Sequence, residues 1–211
     1  ALLAVSQGAE IGHAQDAPEE PEGPGTRERT AAAEAYDKGS TAYLARDYAT
    51  AALWFETAHR MAPNSAALLQ ATRAYERGED LPRAATLALQ IMHQYPEDAE
   101  AVAYAKGLID ELAAHLVRID VDCEACRLEL EGKLIEQTSF FIEPGKKHRL
   151  IAEFDSGRRE GDLFGDPGMK RLVRIDPPSE DGEPPPPVVL VPLEPEQEVE
   201  LAEKRKEKPK A

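Results

Sequence analysis

Residues 35–63 read AYDKGSTAYLARDYATAALWFETAHRMAP, and the placing of small side chains in this stretch decides the fold of the first half of the chain. Gly39 and Ala42 lie one turn apart, and Ala51 and Ala58 follow with Phe55 between them. The spacing of two packed helices depends on the side chains at their contact, so small residues at the crossing let the backbones approach. Gly39 and Ala42 supply them on the first helix, Ala51 and Ala58 on the second, and Phe55 fills the gap. Asp47 stands just before Tyr48, where its carboxylate can accept a free N–H of the second helix. Pro63 has no N–H to continue that helix and ends it. The stretch therefore predicts an antiparallel helical hairpin.

The pattern recurs at an offset of 33 residues: Ala51 and Ala84, Pro63 and Pro96. Leu68 and Tyr75 stand where Ala35 and Ala42 stood, and Thr72 replaces Gly39. Ala88 and Ile91 take the places of Phe55 and Ala58, so the second copy is degenerate. An ordinary hairpin with alanine-rich faces is the plain alternative, and the recurrence favours a repeat. The spine Gly39, Ala42, Ala51, Phe55, Ala58 and Pro63 resembles the tetratricopeptide repeat (TPR), whose period is about 34 residues. Helices are expected at 30–45, 48–61, 65–78, 81–94 and 98–115. Asn64 can cap the third, Asp80 with Pro82 opens the fourth, and Asp98 can cap the fifth. Val102, Ala105, Leu108, Ile109, Leu112 and Leu116 recur at intervals of three and four, one apolar stripe. Stacks of such repeats usually need about three units to bury their faces, so the fifth helix reads as a cap.

At Leu116 the apolar period changes to two. Val117, Ile119 and Val121 alternate with Arg118, Asp120 and Asp122, and Leu128 and Leu130 alternate with Glu129 and Glu131. Phe140 and Ile142 precede the turn Glu143-Pro144-Gly145. Leu150, Ala152 and Phe154 alternate before Asp155-Ser156-Gly157, and 169–175 gives a further strand. Short strands separated by turn residues predict a small antiparallel sheet or sandwich. The expected class is therefore α+β and multidomain: helices over 30–115, a β-domain over 116–176, a leader and linker over 1–29, and a tail over 177–211.

The block 116–176 resembles a PEGA domain. Glu131-Gly132 stands for that family's usual Asp-Gly, and Pro144-Gly145 with His148 matches its P-G-x-H region with one extra Lys. The family's namesake tetrad is absent, and Cys123-Glu124-Ala125-Cys126 occupies the first turn. The resemblance implies a small extracytoplasmic β-domain that binds or presents surfaces, and it brings no catalytic residues.

Composition narrows the partners. The chain has 211 residues, 42% of them hydrophobic, and a net charge of −15. Nucleic-acid phosphates would be repelled by such a balance, while a basic or cationic partner fits it; the shallow helical stack and the lack of a phosphate or cofactor motif point to a protein or peptide segment as the ligand. No apolar run approaches the roughly 18 residues that a membrane span needs, and an anchor beyond Ala211 remains open. Gly12 and Ala14 place small residues before a cleavage point after Ala14, the pattern of a truncated signal peptide; a plain disordered terminus is the alternative. Residues 15–29 are rich in Pro, Glu and Gly and read as a linker. Four prolines at 184–187 form a stiff spacer, and 188–193 is a doubtful edge strand because of Pro192. Lys204 to Lys210 reads as a solvated basic tail, with an anionic-surface patch as the sharper alternative.

Chemistry-bearing groups are few. Cys123 and Cys126 are the only cysteines, and their spacing fits a structural disulfide, free thiols, or metal and redox work. Asp122 and Glu124 would raise a thiol pKa there, which argues against a reactive cysteine. His148 is the sole plausible third zinc ligand nearby, short of the four that zinc takes. The five histidines show no metal spacing, and Asp162 and Asp166 fit a turn better than a calcium loop. No phosphate loop, nucleophile elbow or catalytic carboxylate pair is present in the sequence, and no cofactor is implied. Tyr36, Tyr43, Tyr48, Trp54 and Tyr75 are the aromatic candidates on the repeat helices. Core packing is the stronger expectation for Trp54 and Tyr75, which leaves Tyr36, Tyr43 and Tyr48 for partner binding. Two functional classes follow: a non-catalytic protein-binding scaffold of the cell envelope, and a redox or metal-handling envelope protein using Cys123 and Cys126.

Overall fold

The structure, a computed structural model, describes residues 25–178, 189–193, 197 and 201. Among them, five helices precede two four-stranded sheets, an α+β layout. The helices are α1 (Thr26–Leu44), α2 (Tyr48–Met61), α3 (Ser65–Arg77), α4 (Leu81–Gln94) and α5 (Ala99–Leu112). Residues 26–29, expected in the linker, form the first turn of α1. Thr, Arg and Glu are acceptable helix formers there, and the Pro- and Gly-rich run stops at Gly25. The expected cleavage point after Ala14, the linker before Gly25, the prolines at 184–187 and the basic run 204–210 lie outside the described residues.

The seam between α1 and α2 follows from side-chain size. A Cβ on Gly39 would stand 2.8 Å from the Phe55 ring, inside contact distance, so only glycine lets the ring lie against α1. Ala51, Ala52 and Ala58 are fully or almost fully buried on the same face of α2. Each of the later helices starts on a side-chain cap. Asp47, Asn64, Asp80 and Asp98 accept from the backbone N–H of Thr50, Ala67, Arg83 and Ala101.

The turns between α1 and α2 and between α3 and α4 are the same turn twice. Arg46 and Glu79 both adopt φ 63°, in the left-handed region. The Asp47 N–H donates to Ala42 O at 2.9 Å, and the Asp80 N–H donates to Tyr75 O at 3.0 Å. These six-to-one bonds satisfy carbonyls left open at each helix end. A side chain in that region costs of order 1–3 kcal/mol, which the surrounding structure must offset in both turns.

The strands are β1 (Val117–Asp122), β2 (Arg127–Leu130), β3 (Lys133–Ile135), β4 (Ser139–Ile142), β5 (His148–Phe154), β6 (Gly157–Leu163), β7 (Lys170–Arg174) and β8 (Val189–Pro192). One sheet has the order β4-β1-β7-β8, the other β3-β2-β5-β6. The second is antiparallel throughout. The first departs from the antiparallel expectation, because β1 and β7 run parallel. Parallel neighbours need a long crossover, and here it runs through the whole second sheet and β4. The tail also contributes more than a tail: β8 pairs antiparallel with β7, and Pro192 is tolerated because β8 is an edge. Strand β6 carries GRREGDL, whose charges hide the period of two that marks its neighbours.

Both sheets contribute to one apolar cluster, which includes Ile119 and Val121 of β1, Phe140 and Ile142 of β4, Leu150 of β5 and Leu163 of β6. The opposite side of β4 faces the helices. Phe141 belongs to the helical cluster, and its N–H donates to Thr86 Oγ1 of α4 at 3.0 Å. Gln137 Nε2 donates to Gln90 Oε1 at 2.7 Å one turn further along α4. Strand β4 is an edge, so an N–H there would lack a ladder partner, and the Thr86 hydroxyl supplies one.

Candidate binding surface

The three tyrosines assigned to partner binding have different surroundings. Tyr36 meets Phe55 edge-on, with ring centroids 5.1 Å apart. It also lines an open pocket of about 310 Å³ with Arg29, Asp37, Ala58, Ala62 and Asn64. Tyr43 and Tyr48 pack edge-on across the first hairpin turn at 5.3 Å. A Cβ on Gly78 would stand 3.3 Å from the Tyr48 Cβ, so Tyr48 sits in the seam between the two hairpins. Its packing is structural, and of the three it offers least to a partner.

Tyr43 has a neighbour on α5, Tyr104, which in turn reaches α3. Tyr104 of α5 donates a short hydrogen bond from Oη to the Glu76 carboxylate of α3. The Arg73 guanidinium, also on α3, lies 4.9 Å from the Tyr104 ring centroid. Burial, then the Glu76 hydrogen bond and charge, hold the Tyr104 hydroxyl well above the usual tyrosine range, and the Tyr43 side chain adds to the shift. Tyr43, Arg73, Glu76 and Tyr104 therefore form a polar and aromatic line across α1, α3 and α5. Each is only partly buried. Aromatic rings and arginine are the side chains that most often anchor protein interfaces. Glu76 follows Tyr43 by one repeat offset, a signal that the sequence carried and that aromatic counting missed. Nothing in the sequence marks Tyr104 beyond its place on the fifth helix.

A second network ties the outer helices together. Arg83 of α4 donates from Nε and Nη2 to Glu56 of α2, at 3.1 and 2.6 Å. Burial opposes the Arg83 charge, but the Glu56 hydrogen bonds and charge outweigh it and raise its pKa. Burial, then Glu56, pushes the Tyr75 hydroxyl well above its usual range in the same network. Trp54 is partly buried beside Ala35, Ala58 and Ala67, with Lys38 Nζ 4.6 Å from its ring centroid.

At the junction of helices and sheets lies a crevice of about 340 Å³ between the start of α4 and strands β2–β5. Its polar residues are already engaged. Asp80 caps α4, Arg83 holds Glu56, Gln137 holds Gln90, and His148 Nε2 lies 3.1 Å from Glu143 O. The crevice reads as the closure between two packed units.

Cys123 and Cys126 are disulfide-bonded, with Cα atoms 6.1 Å apart, within the range that a disulfide spans. The bridge closes the connection from β1 to β2, where Ala125 takes φ 52°. Among the described residues, no group of three or more His, Cys, Asp and Glu side chains is placed to hold a metal ion. Asp162 lies in β6 and pairs with Lys147 at 3.2 Å, while Asp166 begins the turn that Met169 closes. His59 contacts the Asn64 backbone and stacks edge-on with Tyr95 at 5.9 Å. Among the described residues, no helix is long and apolar enough to cross a membrane. No family model, curated protein or solved structure matches this chain.

Proposed function

We propose that this protein is a non-catalytic binding scaffold of the bacterial cell envelope, built from TPR-like helical repeats and a PEGA-like β-domain, with a protein or peptide segment as its ligand. The line Tyr43, Arg73, Glu76 and Tyr104 across α1, α3 and α5 carries this reading. It joins side chains from three alternate helices, the first of each pair and the fifth, as an extended ligand would require. The repeated turns and caps support the repeat assignment, because they reproduce one local geometry at the same sequence offset. The disulfide supports export, since such bonds persist in oxidising compartments. No specific observation favours the redox or metal-handling reading.

The test is selection of a random peptide library displayed on phage against the purified full chain. The reading expects peptides that bind the wild type and lose most affinity to Tyr43→Ala and Tyr104→Ala, while Leu134→Ala, an exposed change on β3, leaves binding intact. Peptides that bind all three variants equally, or no enrichment at all, would overturn it.

A further inference from the structure

Tyr36 lies outside the line through Tyr43 and Tyr104, in the open pocket of about 310 Å³ near the start of α1. Arg29, Ala33, Tyr36 and Asp37 form one wall of this pocket, and Ala62 and Asn64, just past the end of α2, belong to the other. Arg29 and Asp37 are eight residues apart, or about 12 Å along a helix. The pocket is thus a short trough along α1, with a cation at one end and a carboxylate at the other. Among the described residues, Arg29 has no carboxylate partner. Helix α1 also lacks the side-chain cap that α2 to α5 all have, since its N-cap is Gly25. The positive end of the α1 dipole therefore lies open at the Arg29 end of the trough.

The chain enters α1 at that same end. The residues just before Gly25 read Pro18-Glu19-Glu20-Pro21-Glu22-Gly23-Pro24, with a proline at every third position. A polyproline II helix has three residues per turn, so this spacing puts the three prolines on one stripe and Glu19 and Glu22 on the next. Proline-rich segments lose little freedom on binding and dock into grooves lined by aromatic rings. At about 3.1 Å per residue, Pro18 to Pro24 spans roughly 19 Å, longer than the trough. A reversal of the chain at Gly25 lays the proline stripe along Tyr36. The short tether holds the segment at an effective concentration of order mM, which no separate ligand of equal affinity reaches.

We propose that the trough beside Tyr36 is a docking site for this chain's own segment Pro18–Pro24. The prolines pack on Tyr36 and Ala33, and Glu22 lies beside Arg29 and the open N–H groups of α1. Glu19 comes nearest to Asp37, a like charge, so Asp37 weakens the contact. The docked segment closes the Tyr36 end of the groove from within and leaves a partner the line Tyr43, Arg73, Glu76 and Tyr104. The contact does not rest on that line, and its failure would leave the binding reading untouched.

The probe is a nitroxide on Ala17→Cys in the isotope-labelled full chain, read as broadening of backbone amides. The native cysteines are bonded to each other and do not take the label. Broadening should peak at Tyr36, Asp37 and Asn64 and spare α5. Ala33→Trp fills the trough from an exposed position, and Arg29→Glu reverses the charge, so both should lose most of the broadening at Asn64. Asp37→Asn should increase it. Pro18→Ser with Pro21→Ser should also lose it, and these changes lie before the helices, so a melt should match the wild type and separate lost docking from lost folding. Broadening that falls off evenly from Gly25 along α1 is the mark of a free tether and overturns the proposal, as does equal broadening in Ala33→Trp or in the proline variant. Broadening of an isotope-labelled chain by a nitroxide carried on a second chain also overturns it, because the contact would then join copies of this protein.

Discussion

The first helical hairpin and the second solve the same packing problem with different means. In α1–α2 the seam is closed by a glycine against an aromatic ring, Gly39 under Phe55. In α3–α4 the counterparts are Thr72 and Ala88, a middle-sized pair, and Thr72 is fully buried with its hydroxyl bonded to Leu68 O at 2.8 Å. One hairpin places a glycine against an aromatic ring, while the other has a buried threonine and alanine at the matching positions. The outer faces differ as well, since β4 covers α4 and leaves α2 open. Sequence degeneracy in the second copy therefore goes with added contacts from outside the repeat.

The largest effect that separates the two hairpins is expected at Phe55. Phe55→Ala empties a fully buried site and should cost about 3–5 kcal/mol, whereas Ala88→Gly at the matching place should cost about 1 kcal/mol. Chemical denaturation of both variants checks the ratio. Gly39→Leu comes next. It forces a side chain into the Phe55 ring and should cost about 1–3 kcal/mol, the usual range for overpacking, more if the ring cannot move. A melt unchanged by Gly39→Leu would break the comparison at its root.

Much of this was legible in the sequence, and the misses have physical causes. The helix boundaries, the four side-chain caps and the Gly39–Phe55 contact follow from local rules, because each depends on residues near in sequence or on side-chain size. The parallel pairing of β1 with β7 does not, because register between distant strands is set by the tertiary core. Strand β6 escaped because Arg158, Glu160 and Asp162 are held in ion pairs, Arg158 with Glu160 along the strand, Glu160 also with Arg149 of β5 and Asp162 with Lys147, so charge stands where alternation would show. Of the line of side chains across α1, α3 and α5, Tyr43 was visible as an aromatic on the first helix. Glu76 was marked only by its 33-residue offset from Tyr43, and Arg73 and Tyr104 were not marked at all, because only the stacking of α3 on α5 brings them together. Tyr48 was visible as an aromatic beside a turn, and it packs there against Tyr43 and close to Gly78.

Smaller effects are expected from titration. Tyr75 and Tyr104 have hydroxyl pKa values raised in the folded state, so their contribution to stability is full below the unfolded value near 10 and is lost as pH rises beyond it. A variant with Tyr75→Phe and Tyr104→Phe should lose less stability than the wild type in melts above about pH 10. At the acid end, hydrogen bonds from Ser65 and then the Ala101 N–H lower the Asp98 pKa. Its contribution is present above the unfolded carboxylate value and fades as pH falls through the lower folded value. Asp98→Asn should flatten that acid limb at the start of α5 only. Reduction of the Cys123–Cys126 bridge should loosen the β1–β2 connection while helical circular dichroism stays constant; the closed loop is short, so the loss should be below about 3 kcal/mol.

The outer face of α4 is covered through Phe141 and two hydrogen bonds, Gln137 to Gln90 and the Phe141 N–H to Thr86, of which the second comes from the edge strand itself. Amide hydrogen exchange at Phe141, in the wild type and in Thr86→Val, tests it most directly. The Thr86 oxygen is the acceptor of a buried N–H, and its loss should cost about 1–3 kcal/mol. The account predicts a Phe141 amide protected to the level of its neighbours in β1, and a marked fall in that protection in Thr86→Val, with the α1–α2 amides unchanged. A Phe141 amide that exchanges freely in the wild type, or protection that survives Thr86→Val undiminished, would contradict it.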